Sequence, residues 1–135
     1  MDNSQKIIPT TAPAILVAEL EAISRLSLSE LLRDEGYRVV EAADSGAAIS
    51  QISREQDIKV ILTDLEMPSW SSIITHARVK LPKSFILGMV RYGALSNALE
   101  AQQLGAHDYL IKPLAFNQVD EWIKRCLTGR VEIKR

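Results

Sequence analysis

The chain holds a single cysteine, Cys126. It can close no internal disulfide, which excludes a cystine-stapled secreted scaffold and fits a reducing, cytoplasmic setting. No apolar run approaches the roughly 20 residues that would cross a bilayer, so no membrane partner is expected. The opening stretch "MDNSQKIIPTTAP" (1–13) lacks the apolar core of a signal peptide and reads as a polar lead-in. A predominance of one charge is missing too. The formal net charge is −1, which leaves no footprint for direct nucleic-acid binding. The two histidines, His76 and His107, are too isolated for a metal centre and read as solvated surface positions. Glycine is sparse, and "AELEAIS" follows the first apolar run where a phosphate-cradling loop would need glycines. A nucleotide- or flavin-binding domain is thereby disfavoured.

What is present is a soluble globular composition, 47% hydrophobic and 24% charged, of a length that suggests one domain. Short apolar runs alternate with helical patterns. "AILVA" (14–18), "YRVVEA" (37–42), "KVILTD" (59–64), "SFILGMV" (84–90) and "HDYLIK" (107–112) have the length and β-branched content of buried strands. Leu28, Leu31 and Leu32 recur at helical spacing, and Gly36 can end that helix. Asp44 and Ser45 can cap a second helix with Ala48, Ile49 and Ile52 inward. Ile73, Ala77 and Leu81 share a face of a third, short helix ended by Pro82. Leu95, Ala98, Leu99, Ala101 and Leu104 lie in a fourth helix closed by Gly105. Asn117 can cap a fifth, with Val119, Ile123, Cys126 and Leu127 inward.

Five strands alternating with five helices predict an α/β doubly wound parallel sheet, order 2-1-3-4-5, with helices on both faces. Ligands of such sheets bind outside the carboxyl ends of the strands, at the switch in strand order. Glu19 follows strand 1, Asp64 ends strand 3, Val90 ends strand 4 and Lys112 ends strand 5. A carboxylate beside an ammonium in a cleft suits nucleophilic chemistry. Solvated loop charges explain the same residues, and strand-end placement leaves the two readings balanced.

The stretches "ILVAELE", "LLRDEGYRVVEAADSGAAI", "VILTDLEMP" and "LGAHDYLIKPL" resemble the receiver domains of bacterial two-component response regulators, from about Ala14 to Leu127. The resemblance implies a flavodoxin-like (CheY-like) fold over residues 14–128, with 129–135 as a tail or the start of a linker. It implies a signalling domain in a phosphorelay and not an enzyme. Asp64 would be the phosphoacceptor, Lys112 the contact to the phosphoryl oxygens, Glu19 part of an acidic pocket and Tyr109 the switch aromatic. Lys112–Pro113 would be a cis peptide. A sensor histidine kinase or phosphotransfer protein would act upstream. An output protein or domain would meet the face of helix 4, strand 5 and helix 5, which includes Arg91, Tyr92, Asn97, Glu100 and Tyr109; a homodimer is a further expected partner state.

The chain departs from the family pattern in ways that bear on chemistry. Leu20 stands where the family places a direct Mg²⁺ ligand, and it has no oxygen. Val90 replaces the hydroxyl residue at the end of strand 4. "SWSS" (69–72) replaces a usual glycine. Losing one carboxylate from a water-rich Mg²⁺ site costs at least about a few kcal/mol, and a lost catalytic contact about 3–4 kcal/mol. The expectation is a degenerate receiver, or pseudo-receiver, with at most a weak Mg²⁺ site made by Glu19, Asp64 and Glu66, and signalling by protein contacts. Two alternatives stay open: a phosphorylation-competent receiver using Glu19 and Glu66 for Mg²⁺, and a small-molecule- or nucleotide-binding doubly wound domain. A haloacid-dehalogenase-type phosphatase would want its nucleophile on strand 1. Trp70 either covers the cleft or anchors a loop, and Trp122 reads as a packing or interface residue. Cys126 reads as core, and Lys124, Arg125, Arg130, Lys134 and Arg135 as a solvated end.

Overall fold

The computed structural model describes residue 8 and residues 12–129. Most of the predicted lead-in and tail, including Arg130, Lys134 and Arg135, lies outside the described residues. The strands are β1 (Ala14–Ala18), β2 (Arg38–Ala42), β3 (Ile58–Asp64), β4 (Phe85–Val90) and β5 (Asp108–Ile111). The helices are α1 (Ala22–Asp34), α2 (Ser45–Arg54), α3 (Trp70–Lys80), α4 (Leu95–Leu104) and α5 (Phe116–Leu127), with a 3-10 turn at Tyr92–Ala94 before α4. All strands are parallel, in the order β2-β1-β3-β4-β5. This is the expected doubly wound sheet.

The central strands are apolar on both faces because both faces are covered. Leu16, Ile61, Ile86 and Val90 join one core with α2, α3 and α4 residues such as Ile52, Ile73 and Ala98. Ile15, Val17, Leu62, Leu87 and Met89 join the other with Leu32, Val119, Trp122, Ile123 and Cys126. Trp122 and Cys126 are therefore core residues. Burial of this kind, worth about 25 cal/mol per Å² of apolar surface, drives the fold.

Helix boundaries follow local chemistry with instructive exceptions. Asp44 caps α2 by accepting the Ala47 N–H at 2.7 Å. Asn117 does not cap α5. The helix starts earlier, with Ala115 at its N-cap and Asn117 exposed in the first turn. Packing of Leu114 and Phe116 against the core sets that entry and overrides capping preference. Helix α3 is not short, at 11 residues against 10 in α2 and α4. Ser69, in the "SWSS" stretch, takes a left-handed φ of 61° to start it, an uncommon conformation for a residue with a side chain. Leu31 is 43% exposed and outside the core, because α1 turns that edge towards solvent.

His107 also departs from its solvated reading. It is half-buried, beside Phe85 and on the edge of β4. Its N–H donates to the Ile86 carbonyl at 2.8 Å, and its Nδ1 accepts the Ile86 N–H at 3.0 Å. Arg78 runs nearby from α3 and donates to the Ser84 carbonyl at 2.6 Å. Gly105 lets it pass: φ is +124°, and an added Cβ would stand 2.6 Å from Arg78 Cδ. His76 is exposed, as expected.

Two predictions follow from this packing. Burial first, and the Arg78 charge second, hold the His107 pKa below its usual 6.5. The unfolded chain therefore binds a proton before the folded one does as pH falls. Stability is lost from about pH 6.5 downward until folded His107 itself titrates. His107→Asn keeps an acceptor for the Ile86 N–H and removes the proton site. Its urea-unfolding free energy should lose this share of the slope below about pH 6.5; an unchanged slope would contradict the assignment. At Gly88 an added Cβ would lie 2.5 Å from Leu65 Cδ1, and Leu65 is fully buried. Gly88→Ala should destabilise by about 1–3 kcal/mol through overpacking. Gly93→Ala, facing open space, should stay within about 0.5 kcal/mol.

Candidate functional site

The sheet order changes direction between β1 and β3, and the strand ends there bring three charged groups together. Glu19 comes directly after β1, and its N–H donates to the Ala42 carbonyl at 3.1 Å. Asp64 closes β3 and pairs with Met89 of β4. Lys112 comes directly after β5, with its N–H on the Val90 carbonyl at 2.8 Å. The Lys112 ammonium lies 2.9 Å from Glu19 Oε1 and 3.6 Å from Asp64 Oδ1. Glu19 is 3% exposed and Asp64 4%.

Buried carboxylates are costly without partners. The two share one cation, Lys112, and each also accepts a backbone N–H two residues on. The Glu21 N–H reaches Glu19 Oε2 at 3.0 Å, and the Glu66 N–H reaches Asp64 Oδ1 at 2.9 Å. Burial by itself would push the Lys112 pKa down. The Glu19 hydrogen bond and the charges of Asp64 and Glu19 outweigh it and hold the group above its usual value, so it stays an ammonium at neutral pH.

The positions that depart from the family pattern behave as their side chains dictate. Leu20 is 54% exposed at the rim. Val90 is fully buried in the core shared with α2, α3 and α4, where it offers no donor. Glu66 does not point its carboxylate at a cation site. Arg91 holds both oxygens: its backbone N–H donates to Oε2, and its Nε and Nη2 donate to Oε1. This contact holds the Glu66 carboxyl below its usual pKa. A Mg²⁺ ion wants a near-octahedral shell of oxygens. Among the described residues no group of three or more His, Cys, Asp or Glu side chains could hold a metal ion. The three carboxylates of the expected weak site are held by cations of the protein, Glu19 and Asp64 by Lys112 and Glu66 by Arg91.

Tyr109 lies opposite Gly88 on β5, half-buried against the core that contains Val90. The Lys112–Pro113 bond is cis. Trp70 is half-buried against the same core as Tyr109 and does not line the cleft, so it anchors the α3 entry. An open groove of about 750 Å³ runs from the acidic pair along α1, walled by Leu20, Leu28, Leu31, Pro113, Leu114 and Phe116.

Sequence reasoning missed three supports. Arg25 reaches back from α1 to donate to the Glu19 carbonyl at 2.9 Å, with Glu41 3.6 Å from its Nε. Asn97, expected on the output face, donates from α4 to the Leu65 carbonyl at 2.8 Å. The third is the Glu66–Arg91 pair. Only the Arg25 contact has a sequence signal, a cation six residues after Glu19 within a helical pattern. The other two depend on how β3 aligns with β4 and α4.

Comparison with known proteins agrees with this geometry. The family model described as the response regulator receiver domain matches residues 15–124. The transcriptional regulatory protein ZraR of Salmonella typhimurium is 35% identical over 115 residues, 84% of this chain and 26% of that protein. The response regulator protein FleR of Pseudomonas aeruginosa is 29% identical over 122 residues, 89% of this chain and 26% of that one. The chain thus spans about a quarter of the length of these curated relatives. A CheY-like receiver domain structure from Methanospirillum hungatei superposes with a TM-score of 0.81 at 25% identity, over 88% of this chain and 96% of that chain. A parallel five-stranded sheet with its charged groups gathered at the switch point, and a matching family model over most of its length, place the chain in the response regulator receiver domain family of two-component signalling.

Proposed function

We propose that this receiver keeps Asp64 at the phosphoacceptor position but has lost efficient phosphotransfer, and that it signals through protein contacts. One observation carries the reading. The Lys112 ammonium sits between buried Glu19 and Asp64, while Leu20 supplies no metal ligand and Val90 no hydroxyl. Lys112 offsets one of the pocket's two carboxylate charges from within, so Mg²⁺ binds weakly at most. Lys112 is the group placed to meet an anion on Asp64. Tyr109 cannot couple to a hydroxyl at position 90.

Receivers work between histidine kinases and output domains, and the same roles suit this chain. The proposed output surface is the α4–β5–α5 face, where Tyr92, Leu99 and Ile111 are 74%, 63% and 38% exposed. Exposed apolar residues of this size, grouped on one face, suit a protein partner or a second copy of the chain. No helix among the described residues is long and apolar enough to cross a membrane, which is compatible with a cytoplasmic site of action.

Intact mass after incubation with acetyl phosphate and Mg²⁺ tests this, beside an Asp64→Asn control. The reading predicts no appreciable gain of a phosphoryl group by the folded wild-type chain, a suppression of several orders of magnitude in rate. A rapid gain that vanishes in the control would establish a competent receiver instead.

A further inference from the structure

Glu66 and Arg91 are joined more closely than an ordinary surface pair. Three donors of Arg91 meet the two carboxylate oxygens: the backbone N–H at 2.8 Å, Nε at 2.9 Å and Nη2 at 2.7 Å. The Glu66 side chain is only 19% exposed, whereas that of Arg91 is 75% exposed. Charge-assisted bonds to a fork of donors are the stronger and more directional kind.

Their placement is specific. Asp64 and Met89 form the last register pair of β3 and β4. Glu66 and Arg91 stand two residues beyond it in the two chain segments, so the pair ties the loop that follows Asp64 to the loop that follows the neighbouring strand β4. Both residues line the same groove as Asp64, Glu19 and Lys112. Glu66 also holds the acceptor directly, through its N–H on Asp64 Oδ1. Asp64 beneath them is 4% exposed.

We propose that the Glu66–Arg91 pair is a latch on Asp64, in which Arg91 attracts an incoming phosphoryl donor and Glu66 both shuts the loops and repels that donor. The proposal rests on Asp64 being the phosphoacceptor. In the step concerned, an Asp64 oxygen bonds to the phosphorus of an acyl phosphate. The bond between that phosphorus and the acyl oxygen breaks, and the carboxylate leaves with the electron pair. The donor is an anion, and the groove through which it reaches Asp64 is lined by both residues. Loss of Glu66 opens the loops, deletes a carboxylate at the mouth and frees the Arg91 guanidinium. Loss of Arg91 opens them as well, but bares an unpaired carboxylate beside the acceptor. The two halves of one ion pair therefore act with opposite sign. A tie that is merely structural would give the same sign from either half.

The test measures the rate of phosphoryl gain by intact mass, with acetyl phosphate and Mg²⁺, in a Leu20→Asp background that restores the missing carboxylate. Glu66→Ala should raise the rate on the order of tenfold, and Arg91→Ala should lower it by a similar factor. The double variant should fall between them. Glu66→Gln and Arg91→Gln, which keep side-chain bulk, should repeat both directions, and circular dichroism confirms that each variant is folded. Both variants moving the same way would reduce the pair to a structural tie and overturn the proposal. A fall in Glu66→Ala would make Glu66 a helper of the acceptor and overturn it equally. Failure of Leu20→Asp and every latch variant to gain a phosphoryl group would instead remove Asp64 as an acceptor, and the latch with it.

Discussion

One ammonium group organises the functional end of this fold. Lys112 Nζ stands 2.9 Å from Glu19 and 3.6 Å from Asp64, and both carboxylates are almost wholly buried. Two carboxylates out of water repel one another and lose their hydration. Neither cost is tolerable without a cation and hydrogen-bond donors close by. The sheet supplies the cation from β5, two strands away from the β3 end that carries Asp64, and the backbone supplies a donor to each carboxylate. The strand-end loops are thereby tied to one another through charge as well as through the sheet.

The same principle recurs around the site with other cations. Arg25 draws the β1–α1 loop towards α1 through the Glu19 carbonyl, and Arg91 draws the β4–α4 loop onto Glu66. Asn97 adds a neutral tie from α4 to the loop after Asp64. Each loop is held by a side chain of the protein itself. A divalent ion at the pocket would compete with Lys112 for Glu19 and Asp64 and would find no oxygen on Leu20. The site is continuous with one of the two cores, to which Val90 belongs and against which Tyr109 packs.

Much of the fold was legible in the sequence. The five apolar runs, the alternation with helical spacing and the stops at Gly36 and Gly105 require only local pattern. The site's three main residues were legible because each falls at a strand end, and strand ends converge at the switch point in any doubly wound sheet. The exceptions have physical causes. Asn117 looked like a cap, yet the packing of Leu114 and Phe116 set the α5 entry. His107 looked solvated, yet pairing at the β4 edge half-buries it. Glu66 looked available to a cation, yet Arg91, 25 residues away in sequence, claims it. Such pairs depend on the alignment of parallel strands, which a single sequence does not encode in any short-range pattern.

The central proposal is that this pocket, with Leu20 at its rim and Lys112 between its two carboxylates, holds a divalent cation weakly at most. Titration of Mg²⁺ into the wild-type chain, followed by the amide resonances of Glu19–Glu21 and Asp64–Glu66, tests it most directly. The account predicts no saturating change in those resonances at physiological Mg²⁺ concentrations. A saturable shift in both segments at such concentrations would show that the carboxylates accept the ion despite Lys112, and would contradict it.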